Sequence, residues 1–150
     1  MTSGRPATAQ STDEEFNRGR YHIGAVAAKT ELSHQTLRHW DEVGLVTPSG
    51  RSEGGFRLYS DFDVQRLLIV RRMKPLEFTL EEMVQLLNSL DCLHDAAAAT
   101  AEKATAADFV RQCHRRAEES IAKQRKRLAY AEELTEVLAR ESSVALDNNP

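Results

Sequence analysis

Much that would advertise chemistry is missing from this chain of 150 residues. It holds two cysteines, Cys92 and Cys113, too few for a disulfide scaffold and in keeping with a reducing compartment. No apolar run is long enough to span a bilayer, and Met1 to Asn17 lacks the basic-then-apolar order of a signal peptide. A soluble cytoplasmic protein with no membrane partner is therefore expected. There is no nucleophile elbow, phosphate-cradling glycine loop, His-Glu-x-x-His pair or convergent carboxylate pair. An enzyme is not expected, and no cofactor is implied. A basic excess is also missing: the formal net charge is −3, and Tyr21 to Leu90 carries eight Lys/Arg against nine Asp/Glu. Yet Arg38, Arg51 and Arg57 gather in one stretch, with Arg66, Arg71 and Arg72 further on, so charge permits a nucleic-acid partner without demanding one.

What is present falls into segments. Residues 1–19, without apolar periodicity, read as a disordered leader, and residues 20–90 as a compact unit. Residues 91–107 are dominated by alanine, which favours helix but buries little, so a frayed helix or mobile connector is expected. From Asp108 to Glu141 there is no Gly or Pro among dense charges, which predicts one long helix over 108–141. Residues 142–150 read as a loose tail.

Within the compact unit Ile23, Val26 and Ala27 recur at helical spacing. Thr30-Glu31-Leu32 forms a turn, and Ser33 is placed to cap a second helix. On that helix Leu37 and Trp40 face inward, while Gln35, Arg38, His39 and Glu42 share one polar face. Gly44 supplies the left-handed residue that ends it. Leu45 to Thr47 and Phe56 to Tyr59 read as two short strands around a loop containing Arg51 and Gly54-Gly55. Phe56 and Leu58 share one strand face, and Arg57 and Tyr59 the other. Ser60 with Asp63 begins a third helix bearing Val64, Leu67, Leu68 and Val70 to Met73; Pro75 ends it. Thr79 with Glu82 caps a fourth helix bearing Leu80, Met83, Leu86 and Leu87. Trp40, Phe56, Leu37 and Leu45 are assigned to the core.

This order of elements is a winged helix-turn-helix. The stretches Thr36-Leu37-Arg38-His39-Trp40-Asp41-Glu42-Val43-Gly44-Leu45 and Gly55-Phe56-Arg57-Leu58-Tyr59 resemble the MerR family of bacterial transcription regulators from Tyr21 to about Leu90. The resemblance implies a mainly α fold: a winged helix-turn-helix DNA-binding domain with a small β-hairpin wing, then a long antiparallel coiled-coil dimerisation helix. It also implies a homodimer on double-stranded promoter DNA, acting on RNA polymerase indirectly by distorting an overlong promoter spacer. Two positions depart from the family: Glu31 and Glu77 stand where glycine is usual; positive φ there would strain each by about 1 kcal/mol, and a locally altered turn is the expectation preferred over it. His39-Trp40 replaces a common aromatic pair.

Within that frame Ser33, His34, Gln35, Arg38, His39, Arg51, Arg57 and Tyr59 are the candidate DNA-binding residues. The first three open the helix that enters the major groove in such folds, and Gln suits bidentate contact with adenine. Arg51, at the wing tip, suits phosphate or a narrow minor groove. The competing reading is a solvated face with ordinary surface pairs, such as Arg38 with Glu42. On the long helix Val110, Ala117, Ile121, Leu128, Ala131, Leu134 and Leu138 make a dimerisation seam that also passes Cys113 and is interrupted at Gln124; folding back onto the first unit is the alternative. Cys92-Leu93-His94 and Cys113-His114 raise a zinc site, but adjacent helical residues diverge by about 100° and no metal is expected. A small buried Cys113 is the simpler reading, an intersubunit thiol sensor the other. For function, a DNA-architectural or excisionase-like accessory protein is the alternative to a transcription regulator. A protein-interaction module is a third.

Overall fold

The computed structural model describes residues 19–147. The expected leader (save Gly19) and the last three residues of the expected tail lie outside the described residues. The chain divides after Leu87 into two units. Among the described residues no helix is long and apolar enough to cross a membrane.

In the first unit, β1 (Arg20–His22) leads into α1 (Ile23–Thr30) and α2 (His34–Glu42), then β2 (Gly50–Arg51), β3 (Arg57–Ser60) and α3 (Asp61–Met73). A 3-10 turn, Lys74–Leu76, follows, and α4 (Leu80–His94) begins in this unit. The three strands form an antiparallel sheet in the order β1-β3-β2. Tyr21 lies opposite Tyr59, and Arg51 opposite Arg57.

Local chemistry sets the element ends. The Ser33 hydroxyl accepts from the Thr36 amide at 3.0 Å and so fills one of the orphan positions at the start of α2. After α2 the chain reverses at Gly44, φ +71, and the Leu45 amide donates back to the Trp40 carbonyl at 2.9 Å. That reversal turns Leu45 and Val46 into the core at 3% and 2% exposure, so they do not form the expected strand. The hairpin strand is Gly50–Arg51 instead, and β1 is a third strand not expected from the sequence. Ser60 and Asp63 cap α3 reciprocally, as their spacing predicts. Asp63 also accepts from the Ser49 amide at 2.9 Å, which ties the entry of the wing to the β3–α3 corner. Thr79 and Glu82 form the corresponding box at α4.

The turn expectation at the two glutamates is corrected. Glu31 and Glu77 both adopt left-handed backbone, φ 55 and φ 59, in place of an altered turn. Each strain is of order 1 kcal/mol for a residue with a Cβ. At Glu31 the surroundings offset it. Arg71 Nη1 donates to the Thr30 carbonyl at 2.7 Å and meets the Glu31 carboxylate at 3.0 Å, holding the turn between α1 and α2 against α3.

The core of this unit is built from Val26, Leu37, Trp40, Tyr59, Leu67 and Val70. Phe56 does not join it; it is 68% exposed. It precedes β3, and its ring lies over Gly54, where an added Cβ would stand 3.0 Å from Phe56 Cε2. The wing loop thus carries the ring outside.

The second unit holds the end of α4 and one helix, α5 (Thr100–Asp147). The Ala-rich connector is shorter than expected: α4 persists to His94, and α5 starts at Thr100. Glu102 explains the early start, since its carboxylate accepts the Ala99 amide at 3.1 Å and lets alanine propensity propagate from a capped end. The helix also runs beyond Glu141 through part of the expected tail, which contains no helix breaker before Asp147. Its 48 residues give a rod of about 72 Å. Ala106 and Cys113 are buried, Val110 and Ala117 half-buried, and every side chain from Ile121 to Val144 is exposed.

Gly44→Ala isolates the backbone requirement, because open space surrounds the missing Cβ. We expect a loss of about 1–2 kcal/mol in urea unfolding, with an unchanged m-value.

Candidate nucleic-acid interface

The outward face of α2 follows from its inward one. With Leu37 at 0% and Trp40 at 4% exposure locked into the core, the helix presents His34, Gln35, Arg38 and His39 to solvent, with the exposed cap Ser33 at its start. These five predicted residues come together on one surface. The N-terminal end of a helix carries unpaired amides and partial positive charge, which suits an anionic partner.

The wing is fixed to this helix by one carboxylate. Arg57 Nε donates to Asp41 Oδ2 at 2.7 Å, and Arg51 Nη2 lies 3.8 Å from the same oxygen. The Asp41 side chain is 14% exposed and that of Arg57 26%, so the pair is partly desolvated. The hydrogen bond from Asp41 raises the Arg57 pKa further above its ordinary high value, against an opposing desolvation. Arg51 also donates to the Gly55 carbonyl at 3.3 Å while remaining half exposed. Arg38 is exposed, and among the described residues no carboxylate is paired with it, Glu42 included.

Tyr59 is corrected. It does not share an outer face with Arg57: it is fully buried, at 0% exposure. Successive side chains of a strand point to opposite faces of the sheet, and at Leu58 and Tyr59 both faces are covered, so both side chains are buried. The Tyr59 hydroxyl has no hydrogen-bond partner among the described residues. Burial raises its pKa most, with the nearby Asp41 charge adding to the effect and Arg57 opposing it.

Sequence reasoning missed three participants. His22, Ile23 and Phe56 join Arg38, Gly55 and Arg57 in lining a cleft of about 260 Å³ between the start of α1, α2 and the wing. His22 belongs to the unforeseen β1, and Phe56 was assigned inward by strand alternation. Asp41 could have been found only by pairing it across 16 residues with Arg57. Tyr21 donates to Asp61 at 2.8 Å, a bond that raises its own pKa and braces β1 against the start of α3.

The comparisons with known proteins agree with this architecture. The profile of the MerR HTH family regulatory proteins matches residues 21–90. An HTH-type transcriptional regulator of Pseudomonas aeruginosa is 36% identical over 99 residues, covering 65% of this chain and 73% of that protein. The mercuric resistance operon regulatory protein of Bacillus cereus is 38% identical over 72 residues, covering 48% of this chain and 54% of its own length. Against this last relative the chain spans only about half of the protein. Among solved structures, HiNmlR, a MerR family regulator lacking the sensor domain and bound to promoter DNA, superposes with a TM-score of 0.65 at 22% identity. That alignment covers 86% of this chain and 94% of the other and concerns the fold.

Two outcomes test this geometry. Arg57→Ala strands a partly buried carboxylate and should cost about 1–3 kcal/mol in urea unfolding, whereas Arg38→Ala should stay within about 0.5 kcal/mol. For Tyr59 the raised folded pKa means that its contribution to stability is complete below the ordinary phenol value of about 10 and is lost as pH rises through the folded value. Tyr59→Phe removes an unpartnered hydroxyl. It should therefore hold or raise stability at pH 7 and flatten the alkaline loss, measured by denaturant melts from pH 7 to 11.

Proposed function

The chain belongs to the family of MerR HTH regulatory proteins, and on that premise we propose that it is a homodimeric, sequence-specific transcription regulator acting on promoter DNA. One observation carries this reading: Ser33, His34, Gln35, Arg38 and His39 form a continuous exposed face beside a wing that Asp41 holds in place.

The start of α2 enters the major groove, where Gln35 is suited to adenine and Arg38 and His39 to bases and phosphate. Arg51 grips backbone at the flanking groove, and Arg57 acts chiefly by setting the wing. Two copies, joined through α5, read a pseudo-palindromic site. Binding within an overlong promoter spacer bends and untwists the duplex, and the realigned elements are then engaged by RNA polymerase. Deformation energy thus contributes to recognition alongside direct contacts. Such a protein resides with the nucleoid in the cytoplasm. The promoter DNA in the HiNmlR complex supports this assignment by fold alone.

Fluorescence anisotropy with genomic promoter fragments across a salt series tests it. Arg38→Ala should weaken binding on many sequences and reduce the slope of log K against log salt by about one per lost phosphate contact, hence about two for a dimer. An unchanged slope removes Arg38 from the interface. Footprints confined to one promoter spacer support the regulator; broad, cooperative coverage would mean an architectural protein instead.

A further inference from the structure

The exposed part of α5 carries a charge pattern beside its apolar stripe. Lys123, Arg125, Lys126 and Arg127 form a basic block, and Glu132, Glu133 and Glu136 an acidic one, separated by a short uncharged stretch from Leu128 to Ala131. All are exposed, as are Ile121 at 40% and Leu128, Leu134 and Leu138 at 58–59%. Ile121, Gln124, Leu128, Ala131, Thr135 and Leu138 alternate spacings of three and four, the seam of a two-stranded coiled coil.

Resting on the homodimer reading above, and on the antiparallel pairing that the family resemblance implies, we infer that the two helices meet in one register, with the two-fold axis between Ala129 and Tyr130. Its segregated charges select that one register. With the axis there, each of these six residues meets another of the six, and Leu134, placed in the seam by sequence, moves to its flank. Ile121 packs on Leu138 of the second copy and Leu128 on Ala131, while Gln124 meets Thr135, polar against polar. A single polar layer of this kind costs some stability but fixes register. Arg125 flanks the seam beside Glu132 of the second copy, and symmetry makes that pair twice. The aliphatic stem of Arg127 runs over Leu134, covering it while the guanidinium stays in water.

The competing arrangements each place like charge on like. Sliding the helices by one heptad towards the N-terminus stacks the basic block on itself and sets Gln124 against Leu128. Sliding by one heptad the other way stacks the acidic block on itself. A parallel pair does both at once. The basic and acidic blocks cannot satisfy each other along a single helix, because no pair between them stands three or four residues apart; the nearest, Arg127 and Glu132, is five apart, about 7.5 Å along the axis and on another face. The pattern is therefore complementary only between copies, in one orientation. It also gives the helix a means of refusing a relative whose blocks are placed differently.

Analytical ultracentrifugation of the full chain with Arg125→Glu, Glu132→Arg and the double variant tests the register. Each single reversal should weaken self-association about ten- to thirtyfold, and the double reversal should return it to within about threefold of the parent. Far-UV circular dichroism at a concentration where all remain associated should show equal helicity. The effect of each single should shrink in high salt. A dimeric parent with silent single reversals, or a double variant no tighter than the singles, overturns the register while leaving the homodimer standing. A monomeric parent removes the homodimer itself.

Discussion

The Asp41 carboxylate is the contact on which the functional surface depends. It projects from α2, accepts the Arg57 Nε at 2.7 Å and lies within 3.8 Å of Arg51. A wing made of a two-residue and a four-residue strand cannot orient itself by its own ladder alone. Charge-assisted hydrogen bonding in a partly desolvated site supplies direction that apolar packing lacks. The same contact decides how the three arginines divide their tasks. Arg57 is committed to the fold, Arg51 shares itself between the wing and solvent, and Arg38 faces outward.

Around this contact the structure tolerates unfavourable features because rigid neighbours enforce them. Glu31 sits in left-handed backbone, yet Arg71 holds both its carboxylate and the preceding carbonyl. Tyr59 buries a hydroxyl without a partner among the described residues, but its ring is among the largest fully buried side chains of the sheet and core. Burial of that ring is worth a few kcal/mol, enough to outweigh an unsatisfied hydroxyl of about 1–3 kcal/mol.

The legible parts of the fold were those governed by local rules. Ser33, Gly44, Ser60 with Asp63, and Thr79 with Glu82 each act over three or four residues, and each performs its expected task. The family resemblance was carried by the same stretch. Long-range pairing was not legible. β1 is three residues whose strand character exists only opposite β3, and Tyr59 is buried because the fold covers both faces of β3 at that level. Alternation assigned Phe56 inward because it presumed a strand that begins one residue later. The start of α5 depended on Glu102 capping Ala99, a signal hidden in an alanine run that looked too featureless to hold a boundary.

The same division of labour explains how a DNA-binding domain can do without a basic excess. Nine acids in Tyr21 to Leu90 look unfavourable for an anionic partner. Five of them are tied to the fold itself: Asp41 to Arg57, Glu31 to Arg71, Asp61 to Tyr21, Asp63 to backbone amides, and Glu82 to the Thr79 amide. A carboxylate already accepting hydrogen bonds, or neutralised by an adjacent guanidinium, repels phosphate far less than a free one at the same distance. The groups left pointing outward on α2 are His34, Gln35, Arg38, His39 and Glu42, and in the proposed reading these are what a duplex meets first. Net charge counts every ionisable group equally, whereas recognition at about 10 Å screening lengths counts only those at the surface being read.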